Sequence, residues 1–275
     1  MSRYEAVKRD GLARIGTYVE GETSVSLPAA LDTDALFPAL RERPFSNVPL
    51  GADEAFVRDY FSPGEGQPVA VHPLAAPAES GDCVLVANWH TAQKNPRNYA
   101  GWLTTLKESL PPDTAWYAPA SALPSTACLL VYSGFDLFDY RAVDLASAEK
   151  RFCLPEGEFP ASLMETAVCR CEGCRDGDLV RHNRLTLDRE LALVRHYIEV
   201  GRLRELMESR CCADAAQVGI LRFLDRSYTF IERSLPVARA VPMRANTAES
   251  QNRAEIRRFA DRVIDRFIPT RTDVA

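Results

Sequence analysis

Three cysteines and one histidine are the side chains whose types and spacing most clearly indicate chemistry. Cys169, Cys171 and Cys174 form a C-x-C-x-x-C motif, and His182 follows eight residues later, directly before Asn183. A tight turn can aim thiolates of this spacing at one point, and the next element can supply an imidazole. Three thiolates and one imidazole complete the tetrahedral coordination of a structural zinc site, with no open position for catalysis. The alternative is a loop of three reduced cysteines, although free cysteine prefers burial and this segment is rich in Arg, Glu, Gly and Asp.

The composition limits the fold and the function. The chain has 275 residues, of which 46% are hydrophobic, which suffices for a sizeable core in one large domain or in one domain with an appendage. No apolar stretch resembles a signal peptide or is long enough to span a membrane. We therefore expect a protein of the reducing cytoplasm whose eight cysteines do not form disulfides, with zinc as the reason for the cysteine cluster. The net charge of −5 gives no global attraction to nucleic acid, so an RNA contact would require a local basic patch.

The start of the chain predicts a β-hairpin. Residues 8–16 and 24–29 form two strand-like runs around a polar turn at Gly21. Residues 40–66 are rich in Pro, Gly and charge and are interpreted as a connector, with one helical pattern over residues 55–61.

Beyond the connector, short apolar runs alternate with amphipathic segments. Strands are predicted over residues 69–72, 83–88, 114–118 and 135–139, and helices over residues 98–106 and 125–132. This alternation is typical of parallel βα units. Carboxylates at the carboxyl end of such a strand lie where α/β barrels place their chemistry, so Asp139 is a candidate site residue. Asp136 is either its neighbour in the site or a residue at the start of the strand.

Two long amphipathic patterns follow the cysteine motif. The first predicts a helix over residues 180–199, in which His196 is four turns from His182 and is interpreted as an ordinary helix-face histidine rather than a ligand. The second predicts a helix over residues 249–267. Its apolar face contains Ile256, Phe259, Val263 and Phe267, and its other faces contain Arg253, Arg257, Arg258, Arg262 and Arg266. These arginines form either a solvated face balanced by nearby acids or a ridge that contacts phosphate or a partner chain.

Three ordered segments resemble the tRNA-guanine transglycosylase superfamily. They are residues 9–16 (RDGLARIG), residues 134–139 (GFDLFD) and the cysteine motif with its histidine. Within that superfamily, the sequence is similar to the amino-terminal half of the archaeal archaeosine synthase alpha subunit. This similarity is carried by residues 95–98 (NPRN), 112–119 (PDTAWYAP) and 252–259 (NRAEIRRF).

The resemblance implies an α/β fold with a zinc-binding subdomain and C-terminal helices. A full (β/α) barrel needs about 100 more residues than lie between the hairpin and Asp139, so we expect a truncated or degenerate TIM-type barrel. The predicted segments are a barrel portion over residues 1–165, a zinc-binding helical subdomain over 166–212 and a helical docking segment over 213–275. Cys169, Cys171, Cys174 and His182 are the predicted ligands of a structural Zn²⁺.

The resemblance also implies a role for Asp139. In transglycosylases an aspartate at the end of the G-x-D-x-F-D strand attacks the anomeric carbon of a tRNA nucleoside and forms a covalent ribosyl enzyme. The family's second aspartate, in an Asp-Ser-Gly-Gly-Phe-Gln motif, has no counterpart here, and residues 141–144 (RAVD) replace its proline-threonine-arginine step. The lysine-transfer chemistry of archaeosine synthase is implied to lie in a later segment with a Pro-Cys-x-x-Lys-Pro-Tyr motif, which we expect to follow the last residue, Ala275.

Three functions are compatible with these features. The first is a non-catalytic or weakly catalytic subunit of a split archaeosine synthase that holds tRNA or a separate catalytic chain. The second is a self-sufficient tRNA ribosyltransferase that exchanges a base through Asp139. The third is a zinc-stabilised interaction module. The expected partners are tRNA and the catalytic chain, with no membrane contact, and a homo-oligomer is a further option.

Overall fold

The computed structural model describes residues 3–42, 46–75, 81–236, 241–266 and 268. An antiparallel sheet contains β1 (Arg3–Asp10), β2 (Ala13–Glu20) and β3 (Thr23–Leu27). A parallel sheet contains β4 (Ala29–Leu31), β5 (Val69–Val71), β6 (Cys83–Val86), β7 (Ala115–Tyr117) and β8 (Leu137–Asp139). A separate hairpin contains β9 (Arg151–Leu154) and β10 (Gly157–Pro160).

The helices cover much of the remaining chain. They are α1 (Thr33–Leu36), α2 (Ala39–Glu42), α3 (Glu54–Tyr60), α4 (Trp89–Ala92), α5 (Pro96–Ser109), α6 (Ala127–Tyr132), α7 (Arg141–Ala148), α8 (Glu172–Asp176), α9 (Leu179–Glu199), α10 (Leu203–Cys211), α11 (Ala215–Arg226), α12 (Tyr228–Ile231) and α13 (Ala254–Arg266). Short 3-10 helices span Ala161–Thr166, Glu232–Ser234 and Ala248–Asn252.

The amino-terminal sheet has three strands rather than the predicted two. Strands β1 and β2 are joined by a two-residue loop after Asp10, in which Gly11 has a φ of 66°. Glycine adopts this left-handed conformation without steric cost and is favoured in tight hairpin loops. The predicted strand over residues 8–16 therefore contains a turn, and Ala29 belongs to the parallel sheet instead of the hairpin.

The parallel sheet has the strand order β4-β8-β7-β6-β5. Strands β5 to β8 follow one another across the sheet, which confirms the prediction of parallel βα units. The first strand, β4, pairs with the last strand, β8, as the first and last strands of a barrel do. Within the described residues, however, β4 and β5 are the edges of an open sheet, so the fold is α/β and no closed TIM barrel is observed.

The two faces of this sheet are both covered. Along β6 and β7, Val84 and Trp116 point into the larger core, which also contains the buried faces of α5, α6 and α9. Leu85 and Tyr117 alternate with them and point to the other face. There they pack in a second cluster with Tyr18 and other side chains of the antiparallel sheet and α1. The face that would line a barrel is filled, which leaves the carboxyl edge of the sheet as the place for a site.

Helix α5 explains one segment of the resemblance in structural terms. Asn95 caps its N-terminus by accepting a hydrogen bond from the Asn98 N–H at 3.3 Å, and Pro96 occupies the first helical position. Both residue types are favoured at those positions. The predicted helix over residues 98–106 is confirmed and extends from Pro96 to Ser109.

Helix α9 confirms the predicted helix over residues 180–199. It spans 21 residues and buries Leu187, Leu191, Val194 and Ile198. Gly201, with a φ of 67°, separates it from α10. The larger core contains side chains from Ala13 to Ala254 and therefore draws on all three predicted segments. The division at residues 165 and 212 stays a prediction.

The predicted helix over residues 249–267 differs from the structure in its start. Helix α13 begins at Ala254, after a short 3-10 helix, and Arg253 lies before it with an exposed fraction of 1%. The Arg253 guanidinium donates from Nε to Glu208 Oε1 at 2.7 Å and from Nη2 to Oε2 at 2.9 Å. Arg253 is thus part of a buried ion pair and not of an exposed basic ridge. The sequence could not indicate this because Glu208 lies 45 residues away.

The apolar stripe of this helix is largely exposed rather than packed against the described part of the chain. Phe259 is 70% exposed and Val263 is 40% exposed, while Phe267 lies outside the described residues. The polar side of α13 faces the protein instead. Tyr228 donates a hydrogen bond to Asp261, and the Arg258 guanidinium donates to the Pro236 carbonyl at 2.9 Å.

Candidate functional site

The four candidate metal ligands lie on two consecutive helices and in the segment directly before the first of them, which contains Cys169. Cys171 is the N-cap of α8, and its sulfur accepts a hydrogen bond from the Cys174 N–H at 3.5 Å. Gly177, in a left-handed conformation, ends α8 after five residues. Asp178 then caps α9 by accepting from the Arg181 N–H at 2.9 Å, which places His182 in the first turn of α9. The local sequence therefore brings Cys171, Cys174 and His182 close together where α8 meets α9.

The donor atoms of this cluster have the spacing of a metal site. The side chains of Cys169, Cys171, Cys174 and His182 each offer one ligand atom, and these atoms lie within 4.8 Å of one another. His182 Nδ1 is 3.3 Å from Cys171 Sγ and 3.2 Å from Cys174 Sγ. Zinc–sulfur bonds of about 2.3 Å and zinc–nitrogen bonds of about 2.0 Å imply ligand separations of about 3.6 Å in a tetrahedron. The group could bind a metal ion, and its donor set is compatible with zinc.

The imidazole of His182 is oriented by its second nitrogen. Nε2 lies 3.1 Å from the Cys153 carbonyl oxygen, to which it can donate when the Nε2–H tautomer is present. That tautomer leaves the lone pair of Nδ1 directed at the cysteines. The ring stacks on Phe152 with a centroid distance of 3.8 Å. Burial lowers the pKa of His182, which outweighs the opposite effect of the Cys153 carbonyl and favours the neutral imidazole that a metal requires.

Asn183 has a structural role that the sequence did not assign. Its Nδ2 donates to Ser147 Oγ at 2.8 Å and to the Arg151 carbonyl at 2.9 Å, and its Oδ1 accepts from the Cys153 N–H at 2.8 Å. Asn183 thereby joins α9 to α7 and β9. This fixes the strand whose carbonyl orients His182.

Gly173 explains why the cysteine motif contains a glycine. A Cβ atom at this position would lie 2.3 Å from the backbone nitrogen of His182 and 2.7 Å from its Cα. Such contacts with backbone require the two helices to separate. The close packing of α8 on α9 therefore depends on the missing side chain. His196, at the other end of α9, contacts Tyr197 and is not part of the cluster.

Asp139 lies at the carboxyl end of β8, as predicted, and is 3% exposed. Oδ1 accepts from the N–H groups of Ala120 and Arg141, both at 3.0 Å. Oδ2 accepts from the Tyr117 hydroxyl at 2.7 Å and from Arg141 Nη1 at 2.9 Å. An ionised carboxylate has about four acceptor positions. The donors around Asp139 therefore occupy its full hydrogen-bonding capacity.

The side chains in the hydrogen-bonded cluster around Asp139 come from the ends of three neighbouring strands. Tyr117 ends β7, and its hydroxyl lies 2.9 Å from Thr33 Oγ1 after β4. Arg141 follows β8, and its second nitrogen contacts Asp34. Burial raises the pKa of Tyr117, and the charge of Asp139 raises it further, so the phenol remains a donor at neutral pH. These hydrogen bonds connect β4, β7 and β8 at the carboxyl edge of the sheet.

Comparison with known proteins places these features in a family. No protein-family model matches the chain. The archaeosine synthase subunit alpha of Methanosarcina acetivorans is 33% identical over 241 residues, which cover 82% of this chain. The archaeosine synthase of Haloferax volcanii is 32% identical over 96% of this chain. The chain belongs to the tRNA-guanine transglycosylase superfamily.

A transglycosylase is more distantly similar. The tRNA-guanine(15) transglycosylase of Methanosarcina barkeri is 28% identical over 60% of this chain and 36% of its own length. The chain spans 39% of the length of the Methanosarcina acetivorans relative and 50% of the Haloferax volcanii relative. It thus corresponds to half or less of the archaeosine synthases it matches.

In this superfamily member, Asp136 is a residue at the start of β8 and not a neighbour of Asp139 in a site. It is fully buried and accepts hydrogen bonds from the Trp116 N–H at 2.9 Å, Tyr4 Oη at 3.3 Å and Arg14 Nε at 3.2 Å. Arg14 also donates to the Thr114 carbonyl at 2.8 Å. Asp136 therefore fastens the antiparallel sheet to the amino edge of the parallel sheet.

An open groove of about 600 Å³ lies beside the cysteine cluster. Its lining includes apolar Leu154, Val168 and Leu193 and the exposed cations Arg170 and Arg189. Neither arginine forms an ion pair with another described residue. A cluster of three thiolates, one neutral imidazole and a divalent metal would carry one net negative charge, which balances at most one of them. The lining also contains Glu156 and an ion pair between Glu190 and Arg210, so with a bound metal the groove has no net charge. Its two unpaired cations stand beside an apolar floor.

The structure also bears on membrane contact. In the part of the chain that is described, no helix combines the length and the apolar character needed to cross a bilayer.

Proposed function

We propose that the chain takes part in archaeosine tRNA modification as a non-catalytic or weakly catalytic subunit. In this role it holds tRNA and a separate chain with the catalytic Pro-Cys-x-x-Lys-Pro-Tyr segment, a motif that does not occur in these 275 residues. The names of the relatives, archaeosine synthase and tRNA-guanine(15) transglycosylase, support the process. The observation that carries the proposal is the saturated hydrogen bonding of Asp139.

A nucleophilic attack by Asp139 would require one carboxylate oxygen to release a donor from the lone pair that attacks. A hydrogen bond to a charged group contributes about 1.5–3 kcal/mol, so this step costs about that much. A barrier increase of that size slows a reaction by roughly 10- to 100-fold. The Asp-Ser-Gly-Gly-Phe-Gln motif that would supply an acid or base is also missing from the sequence. Both features favour a structural role for Asp139.

We therefore expect the isolated chain to incorporate no labelled guanine into archaeal tRNA above background. Asp139→Asn should reduce thermal stability, because an amide cannot accept all the donors that surround the carboxylate. Arg141→Gln should also reduce stability, since it removes one of those donors. Incorporation by the wild-type chain that disappears in Asp139→Asn would instead identify a working nucleophile and favour a self-sufficient ribosyltransferase.

The metal site has a structural part in this proposal. Cys169, Cys171, Cys174 and His182 would hold one zinc ion, and their closed donor set supplies no open position for substrate. The parallel sheet is the proposed remnant of a (β/α) barrel. The pairing of β4 with β8 supports this view.

The groove beside the cysteine cluster is the proposed contact for tRNA. Its two unpaired arginines can neutralise phosphates, whereas the overall charge of −5 opposes binding elsewhere. Leu154 and Val168 on the floor can contact a ribose or a base edge. Cys169 and Cys171 line the same groove, so an intact metal cluster would be needed to shape it.

Charge reversal in Arg170→Glu with Arg189→Glu is expected to weaken tRNA binding at least tenfold. Because two phosphate contacts are lost, the slope of log affinity against log salt should decrease by about two units. Filter binding or fluorescence anisotropy over roughly 50–300 mM salt measures the affinity and its dependence on salt. Arg262→Glu with Arg266→Glu is the matched control, because it makes the same charge change on α13. Equal loss of binding in both variants would contradict a localised tRNA groove.

A further inference from the structure

Helix α13 is attached to the protein by its polar side. At 3.6 residues per turn, Arg257, Arg258 and Asp261 lie within an arc of about 100°. Arg257 donates to Asn252 Oδ1 at 3.2 Å, Arg258 donates to the Pro236 carbonyl and Asp261 accepts from Tyr228. These contacts fix which side of the helix faces the protein.

The opposite side of α13 is apolar and exposed. Ile256, Phe259 and Val263 lie within an arc of about 60° on the side away from these contacts, and Ile264 lies at the edge of that side, next to Arg257. Phe259 is 70% exposed and Ile264 is 78% exposed. Isolated apolar side chains are common on surfaces, but a stripe of large ones on a helix facing solvent marks an interaction site. We call these four residues the outward stripe.

One border of the outward stripe is positively charged. Arg262 and Arg266 lie next to Phe259 on the helix, and neither pairs with an acid in the described part of the chain. A molecule that binds the outward stripe must therefore present an apolar surface with carboxylates along one side.

Three other kinds of occupant fit this surface less well. Nucleic acid offers phosphates to the two arginines but no partner for aliphatic Val263 and Ile264. A lipid surface needs a net basic helix, yet four arginines against three carboxylates leave α13 with one net positive charge. A second copy related by a twofold axis perpendicular to the helix would place the Arg262 and Arg266 border against itself.

We infer that the outward stripe of α13 docks in an apolar groove, with acidic residues on one rim, of the separate chain that carries the catalytic segment. The inference rests on the proposed function, from which it takes the partner. The mode is recognition of an amphipathic helix by a groove, in which anchors at positions i, i+3, i+7 and i+8 enter the partner. Arg262 and Arg266 set the orientation through the acidic rim.

Copurification tests this inference. The probe is the chain of the same organism that carries the Pro-Cys-x-x-Lys-Pro-Tyr segment, tagged and produced together with the full 275-residue chain. Phe259→Asp with Ile264→Asp should reduce the copurified amount at least tenfold, and Arg262→Glu with Arg266→Glu should reduce it severalfold. Leu145→Asp is the matched control, since Leu145 is 62% exposed on α7, away from α13. Melting temperature, zinc content and tRNA affinity should not change in any of these variants.

The outcomes separate the docking site from the proposed function. If the wild type and the variant Phe259→Asp with Ile264→Asp retain the probe to the same extent, the docking site is overturned. The proposed function then still stands. If the wild-type chain does not retain the probe, the partner chain named in the inference and in the proposed function is wrong. A wild-type dimer in light scattering that becomes a monomer in the stripe variant would assign the stripe to a second copy and overturn the inference.

Discussion

Replacing Cys171 or Cys174 with serine is expected to release one equivalent of zinc and to lower the free energy of unfolding by at least about 3 kcal/mol. Metal binding and folding are linked at such sites, because the unfolded chain does not hold the ligands together. The loss should spread beyond the cluster, since His182 also fixes Phe152 and the Cys153 carbonyl. Metal analysis by mass spectrometry and denaturant unfolding measure the two effects.

Cys212→Ser provides the control for this experiment. Cys212 is an exposed free cysteine outside the cluster, so the same chemical change should leave the zinc content and the stability within about 0.5 kcal/mol of the wild type. Freshly purified wild-type protein with less than about half an equivalent of zinc would contradict the metal assignment. So would a Cys171→Ser variant with unchanged unfolding.

The sequence predicts the elements whose signals are local. The period of Leu187, Leu191, Val194 and Ile198 is sufficient to locate α9, and the short apolar runs locate the strands of the parallel sheet. The candidate metal ligands could be predicted for the same reason, because all four lie within 14 consecutive residues. The missed turn at Gly11 was also local, because glycine at the first position of a two-residue hairpin loop is a known hairpin signal.

Features that depend on distant partners could not be predicted. The position of Asp139 at a strand end follows from the sequence, but its hydrogen-bonded state depends on Tyr117, Ala120 and Arg141. The orientation of α13 depends on Tyr228 and the Pro236 carbonyl, which select its polar side. An amphipathic pattern alone shows that a helix has an apolar face, not whether the same chain covers it.

Glu208 is expected to be the carboxylate on which stability depends most. It is fully buried on α10 and accepts hydrogen bonds from Arg253, from Arg204 Nε at 2.9 Å and from Ser250. Glu208→Ala should destabilise the chain by about 3–5 kcal/mol, because it leaves the buried Arg253 guanidinium without its carboxylate partner and Arg204 with Asp225 alone. Denaturant unfolding measures the effect, and Glu199→Ala, at an exposed position of α9, should change stability by less than about 0.5 kcal/mol.

The contribution of Glu208 should also depend on pH in a defined direction. Burial alone would raise the pKa of Glu208, but hydrogen bonds from Arg253, Ser250 and Arg204 outweigh burial and lower the pKa below its ordinary 4.5. A carboxylate with a lowered folded-state pKa stabilises the protein fully above the unfolded-state value, and this stabilisation is lost as the pH falls through the folded-state value. The stability difference between wild type and Glu208→Ala should therefore be constant near neutral pH and decrease below about pH 4.5. Acid release of a metal from the cysteine cluster would affect both proteins alike, so the difference isolates Glu208. A difference that stays constant down to about pH 3 would show that the Glu208 carboxylate is not the anion that holds Arg204 and Arg253 in the core.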